Sequence, residues 1–310
     1  MKRLFAGVLF AVALAFPLFF KDYWLYVGII CLYYAMLASS WSMLAGQVGL
    51  ISFAHVAFAG IGAYTSAFLV IQAQFPIPLA VTFGALASAI IGLGIGALTL
   101  RMRGPYLALT TLAFSEILRI FITAEHQLTQ GSIGLQVPLI FGGNKIYSYY
   151  TGLSLLILTL VVLELVLHSR VGLFLIAMRE DEDGAATRGV NTIAFRLLAF
   201  VMTSALAGLA GGYYAHVVGL VSPQMIRLGE MGLVLAMSVF GGLESLLGAA
   251  LGAVALHTLT EYLRIFAEWR LAIFGALVLF TLKFAPQGLL PRLFIYAEIF
   301  MKRWMDRPER

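Results

Sequence analysis

The sequence predicts an all-α integral membrane protein, a single polytopic bundle of about ten transmembrane helices. Three observations carry that expectation. Of 310 residues, 61% are hydrophobic and only 11% are charged, whereas a soluble domain needs about a quarter charged residues to cover its surface. The apolar residues gather into about ten blocks, each close to the ~20 residues that a helical span requires. No block shows the sustained alternation of a lipid-facing strand, and backbone in lipid must satisfy its own hydrogen bonds, so the spans are read as helices.

In chain order the blocks are 4–20, 23–44, 50–71, 79–100, 105–122, 150–167, 195–219, 229–247, 248–263 and 269–285. The first has the basic start and small-residue triplet (Ala13, Leu14, Ala15) of a secretory signal. Its apolar run continues to Phe20, so an uncleaved first span is expected. Gly241, Gly242 and Gly248 interrupt 229–263, with Glu244 and Ser245 between them. Two short or broken helices packed as a hairpin fit this stretch better than one rod. After Pro286 and Gly288, 289–301 reads as a surface helix or tail. Gly92/Gly96, Gly208/Gly212 and Gly248/Gly252 have the four-residue spacing that lets helices approach closely. Segments 58–67 and 240–249 echo each other faintly, as internal repeats with broken helices would.

Orientation follows from counting. With ten spans and a cytoplasmic N-terminus, 14 of the 20 Lys and Arg fall on inside flanks and 6 outside. The positive-inside rule favours that topology, with both termini in the cytoplasm. It also places the charged stretch 168–196 (HSRVGLFLIAMREDEDGAATRGVNTIAFR) in the cytoplasm. Leu175, Met178, Glu182, Ala185 and Gly189 recur there at approximately helical spacing. Ala185 and Ala186 make a small flat patch beside the charges of Arg179, Glu180, Asp181 and Glu182. A patterned interspan loop of this length reads as a docking surface for a soluble partner.

Several functions are excluded or left thin. None of the five lysines sits in a Gly-rich P-loop, so ATP hydrolysis by that route is not available to this chain. HExxH and GxSxG are absent, and the single cysteine, Cys31, offers no metal cluster. Ser52 and His55, three residues apart, could pair as nucleophile and base, but nothing supplies an orienting acid; a packing or pathway role is the simpler reading. Glu116/Arg119, Glu261/Arg264 and Glu164/His168 can pair locally on helices. Glu244, His216 and His257 have no partner nearby in sequence, and such groups would serve a proton-coupled secondary transporter.

The motifs resemble one family. GQVGLISFAHVAFAGIGAY over 46–64 is similar to its early GQ-x-S-x-GH-x-AF-x-GIGAY signature, and RGPYLALTTLAFSEI over 103–117 to its RG-x-YFA-x-x-TLAF-x-E-I stretch. REDEDGAATRGVN over 179–191 resembles its REDE-x-AA-x-x-xGIN loop. LAGLAG at 206–211, Ser222-Pro223 and MSVFGGLES at 237–245 follow in order. Ala54 and Glu244 stand where Gly is usual or common. The family is the permease subunit of branched-chain amino-acid ABC importers, the M-type partner of a permease pair. The resemblance implies translocation of branched-chain or other hydrophobic amino acids across a bacterial inner membrane. The implied partners are a second related permease, two ATP-binding subunits that carry the only nucleotide, and an extracytoplasmic solute-binding protein. It implies no cofactor, metal or catalytic residue on this chain. Arg179, Glu180, Asp181, Glu182, Ala185, Ala186 and Gly189 would form the ATPase-coupling segment, and Gln47, Ser52 and His55 are candidates for the pathway. Urea or short amides as substrates, or a stand-alone secondary transporter, remain the alternatives. One residue, Gly184, has no evident reason to stand in the middle of the coupling segment.

Overall fold

Apolar length and small side chains decide the architecture. The structure, a computed structural model, describes residues 2–99, 102, 104–266, 275, 276, 279, 283 and 288. The helices are α1 (Lys2–Phe19), α2 (Asp22–Ser42), α3 (His55–Ile71), α4 (Ile77–Thr99), α5 (Pro105–Ala124), the short α6 (His126–Thr129), α7 (Lys145–Leu167), α8 (Arg170–Glu180), α9 (Glu182–Thr187), α10 (Thr192–Val218), α11 (Leu228–Gly241) and α12 (Leu246–Tyr262). Two short strands, β1 (Leu135–Gln136) and β2 (Leu220–Val221), pair antiparallel, with Leu135 opposite Val221. This is an all-helical polytopic membrane protein.

Among the described residues, five helices are long and apolar enough to cross a membrane: Asp22–Gln47, Ile77–Thr99, Pro105–Ala124, Lys145–Leu167 and Thr192–Val218. The pair α11 and α12 adds a sixth if it is one broken span. The expected count of about ten is therefore not reached at full span length. Block 50–71 falls short because its helix starts only at His55, which leaves 17 residues, or about 25 Å at 1.5 Å per residue. Blocks 229–247 and 248–263 share the bent pair, which turns by 118° at Gly242–Ser245 and forms the expected hairpin. Block 269–285 lies outside the described residues, apart from isolated positions. The echo between 58–67 and 240–249 joins unlike structures, one inside an unbroken helix and the other across that bend.

The core forms where glycines let backbones meet. A Cβ on Gly62 would strike the backbone of Gly208, one on Gly211 the backbone of Ala59, and one on Gly84 the backbone of Gly62. So α3, α4 and α10 converge, and α10 packs most extensively against the other two. The spaced pairs behave as expected: Gly92 and Gly96 receive Ser204 and Phe200, while Gly208 and Gly212 receive Ser88 and Val81. Around this centre, α2 packs on α7 and α12. At α1, Pro17 has no N–H to give the Ala13 carbonyl. The Tyr149 hydroxyl of α7 donates to that carbonyl instead, at 3.0 Å.

Polar groups inside the bundle are mostly tied. His216 Nδ1 lies 2.9 Å from the Pro138 carbonyl, which can only accept. Nδ1 therefore carries the proton, and Nε2 accepts from the Ser66 hydroxyl at 2.8 Å. His216 is thus a strut between α3, α10 and the 126–144 segment. Glu230 accepts from Tyr34, and His257 stacks near the Tyr34 ring. The local pairs Glu116/Arg119, Glu164/His168 and Glu261/Arg264 all form.

Candidate functional site

The charged stretch folds as two capped helices rather than one. Ser169 accepts from the Val171 N–H and starts α8, whose buried face is Gly172, Leu175 and Met178. The helix stops at Asp181, which turns extended (φ −152°, ψ 101°) and caps α9 by accepting from the Gly184 N–H at 3.0 Å. The expected continuous spacing through Glu182 and Gly189 fails here, because a side-chain cap replaces the helical path. At the far end Gly189 takes φ +85°. Its N–H reaches the Ala186 carbonyl and the Val190 N–H reaches that of Ala185, which is a Schellman closure. Asn191 then caps α10 through the Ala194 N–H. Gly184 now has a reason: a Cβ there would press on the Asp181 carboxylate that caps the helix.

The seven docking candidates divide by direction. Glu180, Ala186 and Gly189 are exposed, beside Leu173, Phe174 and Ile176 on the outer side of α8. Ala185 is buried, and Asp181 is occupied as a cap. Glu182 pairs with Arg196 at the start of α10. Arg179 pairs with Glu244, far away in sequence. Reversing the charge of Glu182 would therefore disturb the loop itself, and Glu180 is the cleaner probe of an outward contact. For the cap, Asp181→Ala is expected to cost α9 about 1 kcal/mol. Hydrogen exchange of the 184–187 amides should rise about fivefold, with the global unfolding temperature nearly unchanged.

Behind α8 lies a junction of two unwound stretches. The first follows α2, which ends in a π-turn over Met43–Gln47 and then runs non-helically to Ala54. Val48, Leu50, Ser52 and Ala54 are buried while Gly49 and Ile51 are exposed, and the buried part of its backbone needs partners. Trp41 donates its indole N–H to the Ser52 carbonyl at 2.7 Å, and the Phe53 N–H donates to Thr111 of α5 at 2.9 Å. The second stretch is the bend between α11 and α12. Ser42 donates to the Leu243 carbonyl at 2.7 Å and Gln47 to the Glu244 carbonyl at 2.6 Å. The Gly46 position packs directly on the Leu243 carbonyl, and Gly49 lies under the Arg179 side chain. Arg179 and Glu244 close this junction by joining α8 to both stretches. The sequence signal was Glu244 itself, a charge with no local partner in a Gly-rich break.

The pathway candidates are placed differently from one another. Gln47 is half-buried and tied to the bend. Ser52 and His55 do not share a helix face, since Ser52 lies in the unwound stretch and accepts from the Ala54 N–H. Both are fully buried. The two ring nitrogens of His55 lack a hydrogen-bond partner, so the proposed Ser–His pairing is not formed. No group of three or more metal-ligating side chains is found among the described residues.

Residues 23–282 match the family model described as "Branched-chain amino acid transport system / permease component". The chain belongs to this permease family. It is 31% identical to the high-affinity branched-chain amino acid transport system permease protein LivM of Salmonella typhimurium, over 94% of this chain and 75% of that protein. LivM of Escherichia coli is 30% identical over the same shares. LivH of Escherichia coli, also a permease protein of that system, is 28% identical over 84% of this chain and 91% of its own length. No solved structure matches. As a permease component this chain supplies a membrane path and is not itself catalytic.

Proposed function

We propose that this chain is the M-type half of a permease pair in an ABC importer for branched-chain or other hydrophobic amino acids. The whole chain acts as one permease domain in a bacterial cytoplasmic membrane. In this reading the ten expected spans are completed by α1, α3, the two arms of the bent pair and 269–285, and both termini face the cytoplasm. The two breaks, at 48–54 and 242–245, meet at one end of the bundle, which fits the broken-helix part of the expected design.

The observation that carries the mechanism is the Arg179–Glu244 pair beneath an exposed, doubly capped segment. Two ATP-binding subunits hold the ATP, and one of them docks on the outer side of α8 and α9 through Glu180, Ala186 and Gly189. ATP-driven closure then moves α8. Arg179 passes that movement to the α11–α12 bend and the unwound stretch that contains Gln47 and Ser52, with His55 at the start of α3. An extracytoplasmic solute-binding protein delivers solute at the opposite end.

The test is reconstitution of both permeases and both ATPases in vesicles. Leucine uptake that requires ATP and loaded binding protein supports this reading. Preference for urea or short amides would redirect the substrate, and uptake by this chain alone on an ion gradient would contradict the importer reading.

A further inference from the structure

At the end of the bundle away from α8 and α9, the C-terminal turn of α5 meets the Pro223–Ile226 turn that leads into α11. Between them lies a polar cleft of about 70 Å³, lined by Arg119, Thr123, Ser132, Pro223, Gln224 and Arg227. Arg119 spends two donors on Glu116, its Nε and Nη2 both at 2.8 Å from one carboxylate oxygen. The rest of its five N–H donors stay available. Arg227 is exposed, and its guanidinium has no partner among the described residues. Ser132 and Gln224 add neutral donors without side-chain partners there. The acidic groups nearby are committed: Glu116 to Arg119, Glu125 to the α6 N–H groups, and Glu230 to Tyr34. The cleft thus has a donor-rich lining, with two guanidinium groups and no carboxylate, and is small. It has room for a carboxylate, while an amino-acid side chain would lie outside it.

We propose that this cleft is a subsite for the carboxylate of the arriving solute, with Arg227 and Arg119 as its donors. The proposal rests on the importer reading above and sharpens it. Charge-assisted guanidinium–carboxylate hydrogen bonds are roughly twice as strong as neutral ones. A guanidinium also has no acceptor for an amide N–H. The subsite therefore favours an amino acid over urea or a neutral amide.

The test uses the whole reconstituted importer with leucine-loaded binding protein at saturation. Arg227→Gln is expected to lower leucine uptake at least tenfold. Arg227→Lys, which keeps the charge and loses the bidentate fork, should retain an intermediate rate. Arg119→Lys, which keeps the charge beside Glu116, should lower the rate similarly. Docking affinity of the empty binding protein should stay within twofold of wild type. Unchanged uptake in both Arg227→Gln and Arg119→Lys overturns the proposal. Equal loss of uptake and docking also overturns it, by making the cleft a protein contact. A deficit confined to vesicles with anionic lipid assigns the cleft to a lipid phosphate and overturns it too. If the wild-type importer carries no leucine, the importer reading falls, and the subsite falls with it.

Discussion

Arg179→Glu is expected to lower transport per ATP hydrolysed by about tenfold, and the double variant Arg179→Glu/Glu244→Arg to recover most of that loss. Tenfold corresponds to ~1.4 kcal/mol, within the 1–3 kcal/mol typical of coupling between distant sites. The effect on stability should be much smaller. The two side chains are 30% and 69% exposed, and solvent-screened pairs contribute about 0–1 kcal/mol. The single variant should therefore reach the membrane and assemble. What it loses is the link between α8 and the α11–α12 bend, where two carboxylates would now repel. A double-mutant cycle on the transport-to-hydrolysis ratio isolates that link from either residue's other contacts. Additive losses in the double variant would show that Arg179 and Glu244 act separately. The bend also stays tied to the π-turn by Ser42 and Gln47, so some residual coupling is expected.

The second large effect concerns the centre of the bundle. Gly211→Leu should leave no assembled permease in the membrane. A side chain there meets the Ala59 backbone, and backbone cannot rotate away as a side-chain tip can. Even Gly211→Ala should cost about 1–3 kcal/mol, the usual range for overpacking. Gly94→Ala is the control. It lies in the adjacent helix α4, on an exposed face with open space where the methyl would sit. Alanine there should be neutral or slightly stabilising, because it improves helix propensity by up to ~1 kcal/mol. The amount of assembled permease in the membrane reads Gly211→Leu, and thermal unfolding of the detergent-solubilised protein separates the two alanine variants. Equal melting temperatures for Gly211→Ala and Gly94→Ala would contradict the close packing of α3 against α10.

Much of this architecture could be read from local pattern. The long apolar helices α4, α5, α7 and α10 lie close to their predicted blocks, because lipid demands length and the chain supplies it without charge. The hairpin at 229–263 was announced by Gly241, Gly242 and Gly248. The i,i+3 and i,i+4 ion pairs were legible because helical geometry alone sets them. What escaped were the features set by contacts across the fold. The stretch after Gln47 is as apolar as a helix, so its unwinding could not be seen in composition. It depends on Trp41 and Thr111 to satisfy its backbone, while Ser42 and Gln47 just before it satisfy carbonyls of the 242–245 bend. The interruption at Asp181 was hidden by apolar spacing that runs on past it, although an Asp three residues before Gly184 is a readable N-cap signal. The partners of Arg179 and Glu182, 65 and 14 residues away, are a matter of tertiary packing. Those pairings changed the meaning of the charged segment. Arg179, Asp181, Glu182 and Arg196 hold the segment and the bundle together, while Glu180 stays exposed on the outer side.

Cysteine cross-linking tests that division most directly. In a background with Cys31 replaced, single cysteines at Ala185, Ala186 and Glu180 are compared in the assembled importer. Ala186→Cys and Glu180→Cys should cross-link to an ATP-binding subunit, with yields that change on ATP binding, while the buried Ala185→Cys should not. Cross-links at neither exposed position, together with capture of the ATPase by Phe141→Cys at the opposite end, would contradict the placement of the docking segment.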